Sequence, residues 1–242
     1  MALDLLLDDS VQLVSLLGQA GTGKTFLTLL AGLHKTIEEK SYSKMLVARP
    51  IVSLGADIGF LPGDVQEKLY EWMHPVYDNL DYIFNELTNA NMLPAMLKHE
   101  KKEEKRSRFD WKKRRREEDH HEGYSYGPQV HAGVAQLKSA GLLTLEAITY
   151  MRGRSIPKQF MFIDEVQNLT PHEVKTIISR AGEGTKVILC GDPYQIDSPY
   201  LDFTSNGLTV TGEKMKGLPI TGIVMLENSE RSYLAKVAAE IL

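Results

Sequence analysis

Gly18–Thr25 reads GQAGTGKT, residue types and spacing that can hold a polyphosphate. Glycines at Gly18, Gly21 and Gly23 let the backbone curl until successive amides, those of Gln19, Ala20 and Thr22 among them, face one anion. Lys24 has the reach for the β- and γ-phosphates, and the Thr25 hydroxyl can ligate Mg²⁺. The stretch fits GxxxxGK[ST] at every position. It also lies between a strand-like run and a helix-like run, which argues against a chance glycine turn. The expected ligand is ATP with Mg²⁺.

A second constellation is FMFIDE, ending at Asp164 and Glu165. A carboxylate at the tip of a neighbouring strand can hold Mg²⁺, which gives Thr25 and Asp164 as the metal residues. Glu165 can take the proton of an attacking water as general base. Alone, an acidic pair after a strand is an ordinary solvated turn; with the glycine loop upstream it reads as the other half of one site. GDPYQ, Gly191–Gln195, follows a further strand-like run. Gln195 there suits a γ-phosphate sensor better than a plain Asp-Pro turn.

Arginines are harder to place. Arg231, in ERSYLA, either aims inward as a finger on the transferred phosphoryl group or packs its stem on the core. Arg49, Arg152 and Arg154 either contact phosphates or are surface charges.

These residues need elements to position them. Val11–Leu17 suits a central strand, and Phe26, Leu29, Leu30, Leu33 and Ile37 recur at helical spacing. Met45–Ala48 is a second strand, stopped at Arg49-Pro50. Asp64–Leu87 reads as a helix with Val65, Leu69, Trp72, Val76, Leu80 and Phe84 on one side and a kink at Pro75. Val134 and Leu137 fit a short helix, followed by strands at Leu142–Ile148 and Gln159–Ile163. Thr170-Pro171-His172-Glu173 has an N-cap, a first-turn proline and a capping-box glutamate. Val174, Ile177, Ile178 and Ala181 form its buried stripe, closed by Gly182. Strands at Lys186–Cys190 and Ile220–Leu226 and a last helix through Leu234, Val237, Ala238 and Ile241 complete the chain. Strand, glycine loop, helix, strand opens a parallel α/β sheet, and the whole of 1–242 reads as one domain.

Lys98–Glu122 stands apart. Eleven Lys/Arg and eight Asp/Glu leave only Phe109 and Trp111 apolar. Such a tract buries too little to offset chain entropy, so 98–128 is expected to be a mobile insertion. WKKRRRE within it invites a nucleic-acid reading, yet flanking acidic runs favour a solvated tract.

Composition sets outer bounds. A net charge of −4 gives no support of its own to nucleic-acid binding. A single cysteine, Cys190, excludes an intrachain disulfide and suits a buried small hydrophobe in a reducing cytoplasm. No apolar run approaches the roughly 18–20 residues of a membrane span. MALDLLLDDSVQLV lacks a basic leader and resembles the middle of an amphipathic helix, so the chain is expected to be part of a longer protein.

Taken in order, GQAGTGKT, ARPIVSLGADIGFLPGD with QEK after it, AITYMRGRS, FMFIDEVQNLTPHEVKTIISRAGEGTKVILCGDPYQID and LENSERSYLA resemble the PhoH-like ATPases. The resemblance covers nearly the whole chain outside the charged insertion. It implies a RecA-like P-loop NTPase core with a mostly parallel sheet flanked by helices, related to superfamily-1 helicases and often assembled as a ring, a hexamer being one form. It also implies Mg²⁺ binding and water activation at Asp164 and Glu165, a sensor at Gln195 and a finger at Arg231. In the branch nearest this chain a PIN-type ribonuclease domain precedes the ATPase, and the family's adenine-reading glutamine would stand just before Met1. The expected function is an ATPase acting on RNA or single-stranded nucleic acid. The competing reading is an ATP-dependent conformational or assembly switch, and a small-molecule kinase is a third.

Overall fold

In a computed structural model, which describes residues 1–51, 65–89, 132–151 and 153–228, six short apolar runs form strands. They are β1 (Leu13–Gly18), β2 (Lys44–Arg49), β3 (Leu143–Ala147), β4 (Gln159–Ile163), β5 (Lys186–Gly191) and β6 (Thr221–Leu226). Every pairing among them is parallel, in the order β3-β2-β4-β5-β1-β6. The mostly parallel sheet expected from the sequence is therefore wholly parallel among the described strands. Parallel strands require crossovers, and the crossover helices cover both faces of the sheet. Central strands are accordingly rich in apolar residues, and β5 is buried along its full length.

Side chains alternate between the two faces. Val14, Leu16, Met45, Val47, Phe160, Phe162, Ile188 and Cys190 enter one core. Four helices cover that face: α1 (Ala2–Leu7), α2 (Lys24–Leu33), α3 (Val65–Asn89) and α4 (Ala132–Ser139). Leu46, Ala48, Met161, Ile163, Val187 and Leu189 enter the other, under α5 (Pro171–Ile178) and α6 (Gly207–Met215). Phe160 and Phe162 are fully enclosed, and burial of each contributes about 1.5–3 kcal/mol. A Cβ at Gly32 would lie 2.7 Å from Met45 Sδ and 2.9 Å from Phe160 Cδ1. The missing side chain is what lets α2 press against β2 and β4.

The sequence-read elements recur with shifted ends. β1 begins at Leu13, and α2 continues into a π-helical turn, His34–Glu38. In α3, which runs through Pro75, Val76, Leu80 and Phe84 are buried and Trp72 half-buried. The capping box at the start of α5 is present, with the Thr170 hydroxyl accepting from the Glu173 amide and Glu173 accepting from the Thr170 amide. Gly182, however, does not close that helix. α5 ends at Ile178 with Ser179 as C-cap, Ala181 bridges to Ile156, and Gly182 packs on Pro157. An isolated parallel bridge to Ile156, made by the Arg180 carbonyl and the Gly182 amide, captures the chain before another helical turn forms. α6 has no counterpart in the sequence reading. Asn206 caps it by accepting from the Thr209 amide, and bare Gly207 lets it approach Val174 of α5.

Lys186, at the foot of β5, is almost wholly buried, and its ammonium donates to the carbonyls of Leu5 (2.8 Å), Asp8 (2.7 Å) and Val11 (2.5 Å). The Leu5 carbonyl in the last turn of α1, and the Asp8 and Val11 carbonyls just after it, thus find a donor in a strand side chain, although Asp8 also accepts from the Val11 amide. The charged segment 98–128 and the last helix, through Leu234–Ile241, lie outside the described residues.

Candidate functional site

Because β1, β4 and β5 run parallel, the loops leaving their C-terminal ends meet at one edge of the sheet. β5 lies between β1 and β4, so Gly191–Gln195 stands between the glycine loop and the Asp164-Glu165 tip. Lys24, Thr25, Asp164, Glu165, Asp192 and Gln195 line a common cleft, with Ala20, Gly21 and Gly23 in its floor.

The glycine loop owes its shape to backbone freedom. Gly21 and Gly23 have φ of 83° and 84°, a region other residues adopt rarely. Gly18 has no room for a side chain, since a Cβ there would run into the Leu226 carbonyl. Thr22 is pinned by its hydroxyl to the Gln19 carbonyl at 2.8 Å. Lys24 is buried, and its ammonium folds back on the Gly18 and Gln19 carbonyls at 2.5 and 2.8 Å. The loop therefore presents a cation and amides on one concave surface.

Across the cleft, Thr25 Oγ1 lies 3.3 Å from Asp164 Oδ2. Asp164 is buried, and that burial, together with the neighbouring charge of Glu165, pushes its carboxyl up to about 6 against the pull of Arg49. Glu165 takes up a left-handed backbone conformation, φ 55° and ψ 39°, which costs a non-glycine residue about 1–3 kcal/mol. Strain of this kind persists where surrounding contacts fix it, and here both carboxylate oxygens are held. Oε1 accepts from Arg49 Nη2 at 3.1 Å and Oε2 from Gln167 Nε2 at 2.6 Å.

Gln167 and Asn168 are the residues the sequence reading passed over. Buried Gln167 also donates to the Gln195 carbonyl (3.0 Å) and accepts from the Asp192 amide (3.2 Å). Asn168 accepts from the Asp197 amide at 2.8 Å and donates to its carboxylate at 3.2 Å. Asp192 in turn accepts from the Ala20 amide at 3.2 Å. One chain of hydrogen bonds therefore links Glu165, the 191–198 loop and the glycine loop. The only signal in the sequence was their place, two amides one residue beyond an acidic pair at a strand end, in what folds as a single 3-10 turn, Val166–Asn168.

Other expectations separate here. Arg154 forms an ion pair with Glu146 of β3 (3.1 Å) and is not at the cleft. Arg49 is at the carboxylates. Arg152 and Arg231 lie outside the described residues. Cys190 is buried behind Asp164, and burial raises its thiol well above the usual range, which suits a packing role.

The donor set fits a Mg-nucleotide. Amides of Gly21 and Gly23 donate to no protein acceptor among the described residues, and they sit beside the Lys24 cation. A hydroxyl beside a carboxylate offers hard oxygen ligands. No group of three or more His, Cys, Asp or Glu side chains is gathered among the described residues. A site so built suits an ion that completes its shell with phosphate and water, as Mg²⁺ does.

Glycine loop, strand-tip carboxylates and parallel sheet together define an α/β protein of the P-loop NTPase class. The chain belongs to the PhoH-like protein family, whose sequence model matches residues 2–241. It is 47% identical to Protein PhoH2 of Bacillus subtilis, over 100% of this chain and 46% of that protein. Identity to Protein PhoH2 of Mycolicibacterium smegmatis is 33%, over 100% and 45%. A PhoH-like protein of Bacillus subtilis is 32% identical over 87% of this chain and 50% of its own. The chain thus spans about half the length of the curated relatives it matches. Among solved structures, the helicase nonstructural protein 10 of an arterivirus aligns with TM-score 0.37 and 13% identity, covering 92% of this chain and 36% of that one. Among the described residues no helix is long and apolar enough to cross a membrane.

Proposed function

We propose that this chain binds ATP with Mg²⁺ at Gly18–Thr25 and hydrolyses it, and that hydrolysis is coupled to RNA or single-stranded nucleic acid. The observation that carries the first half is the convergence of Thr25 and Asp164, at 3.3 Å, beside a loop whose Gly21 and Gly23 amides have no protein acceptor among the described residues. In this reading Lys24 and the loop amides bind the phosphates and neutralise charge on the oxygen that leaves. Thr25 and Asp164 would hold the Mg²⁺, which when bound supplies further positive charge to the phosphate oxygens. Glu165 takes the proton from the attacking water. Gln195 senses the terminal phosphate, and Arg231 acts as the finger, in its own site or a neighbour's within a homo-oligomeric ring. A water acceptor fits better than an organic one, since Glu165 and Gln195 both serve hydrolysis.

The second half is supported by the 191–198 loop. The loop that carries Gln195 also carries Tyr194, which is 68% exposed and packs against Phe203, the rings 5.0 Å apart between centroids and tilted by 30°. Exposed aromatic faces stack bases of any sequence. The Tyr194 amide is held by Asp192, the residue that grips the glycine loop. A strand resting on this pair would therefore be felt at the phosphate site. Action in the cytoplasm, in a chain that also carries a PIN-type domain, belongs to the same proposal.

The test is the steady-state ATPase rate with and without single-stranded RNA at low salt. Stimulation by RNA, abolished by Lys24→Ala, is expected. Hydrolysis indifferent to RNA, with an oligomer that forms only with ATP on sizing chromatography with light scattering, would establish the assembly switch instead.

A further inference from the structure

We propose that Arg49 is a positioning residue for Glu165, which it holds from behind and ties to the backbone of α3. The inference rests on the reading of Glu165 as general base. Arg49 ends β2, beside the β4 tip that carries the two carboxylates. Its side chain is only 12% exposed. The guanidinium reaches three groups at once: Glu165 Oε1 through Nη2 at 3.1 Å, the Trp72 carbonyl of α3 through Nη1 at 3.0 Å, and Asp164 Oδ2 through Nε at 3.7 Å. It also lies 5.8 Å from the Trp72 ring centroid. Arg49 is not among the walls of the cleft that Lys24, Thr25, Asp164 and Glu165 line. Its contacts are to the two carboxylates and to α3.

A glutamate carboxylate has several rotatable bonds, and a base that wanders is a poor base. Glu165 is fixed by one donor on each oxygen, Arg49 on Oε1 and Gln167 on Oε2. Gln167 ties it to the 191–198 loop, while Arg49 ties it to α3. The planar fork of arginine is what serves Glu165 and Trp72 together; a lysine is a single point charge and cannot keep both contacts at this geometry. Among the described residues, Arg49 Nε is buried without a hydrogen-bond partner. A packing role alone does not explain a buried, unsatisfied donor facing Asp164, whereas a guanidinium placed for the two carboxylates does.

The experiment is steady-state and single-turnover hydrolysis of Mg-ATP by Arg49→Ala, Arg49→Lys, Glu165→Gln and the Arg49→Ala/Glu165→Gln double variant. Thermal melting and binding of a non-hydrolysable ATP analogue check that each is folded and loaded. Arg49→Ala is expected to lower kcat on the order of 10- to 100-fold with KM unchanged. Arg49→Lys should recover part of the loss. In the double variant, Arg49→Ala should slow Glu165→Gln no further, because its target is gone. Should Arg49→Ala fail to fold, Arg49→Gln takes its place. Parent-like kcat in the Arg49 variant beside a dead Glu165→Gln would overturn the positioning role alone. Losses that multiply in the double variant would do the same. A Glu165→Gln protein that turns over at the parent rate would overturn the base assignment, and this inference with it.

Discussion

Thr25 Oγ1 and Asp164 Oδ2 stand 3.3 Å apart although 139 positions separate them in the chain. The first follows β1 and the second follows β4, two strands of the sheet with β5 between them. Sheet order, not proximity in sequence, brings a hydroxyl and a carboxylate together at the site proposed for Mg²⁺. Burial and the charge of Glu165 hold the Asp164 carboxyl near 6, so a proton and a divalent cation compete for the same oxygens in a mildly acidic range. Affinity for Mg²⁺ with ADP, measured by titration calorimetry, should be steady above about pH 7 and fall as pH drops through about 6. Asp164→Asn should bind weakly at every pH. Equal affinity at pH 5 and pH 8 in the parent would show that Asp164 is not a ligand.

Glu165→Gln is the sharpest test of the chemistry. Gln is nearly isosteric and keeps one acceptor oxygen, so the cleft retains its shape, while the proton acceptor is lost. General-base removal costs typically 10²–10⁴ in rate. We expect kcat to fall by about that factor while the dissociation constant for ATP, measured by equilibrium dialysis, stays within about threefold. Weakened binding with an unchanged rate constant would move Glu165 from catalysis to nucleotide recognition.

What the sequence showed and hid follows from range. Gly18–Thr25 was legible because a phosphate grip is local: glycines, lysine and threonine within one turn. The strands were legible because a sheet buried on both faces demands short apolar runs, as at Gln159–Ile163, whose ends agree to the residue. α6 was not, since Thr209, Val210, Thr211 and Gly212 are poor helix formers, and the helix depends on the Asn206 cap and on contact with α5. Gly182 misled because a glycine after an apolar stripe reads as a helix end, whereas the partner that stops α5 is a distant backbone at Ile156. Arg49 was undecidable in sequence because its partners, Glu165 and Trp72, are set by strand order and by the path of α3.

Lys186 offers a stability test away from the cleft. Lys186→Met removes the donor shared by the Leu5, Asp8 and Val11 carbonyls and leaves those of Leu5 and Val11 to find other partners, while Asp8 keeps the Val11 amide. A loss on the order of 3 kcal/mol is expected from unpaired buried acceptors, read as a lowered midpoint in urea. Burial also lowers the Lys186 ammonium to about 8, against the pull of Asp9 and Asp8. Between pH 8 and the ordinary value of 10.5 the unfolded chain holds a proton that the folded chain does not. Stability of the parent relative to Lys186→Met should therefore rise across that window. A flat difference from pH 7 to 10.5 would mean that the carbonyls keep the ammonium charged throughout.

Tyr194 tests the coupling to nucleic acid without touching the phosphate grip. Its ring is mostly exposed and packs on Phe203, while its backbone amide, which Tyr194→Ala retains, is what Asp192 holds. Removing one stacking face costs about 1–3 kcal/mol per base, which is a roughly 5- to 150-fold rise in the RNA concentration needed for half-maximal stimulation of the ATPase. The rate without RNA should stay at the parent level, and Tyr194→Phe, which keeps the face, should behave as the parent does. If Tyr194→Ala responds to RNA as the parent does, the strand runs elsewhere on the protein. If it loses the basal rate as well, the ring serves the 191–198 loop and not a base.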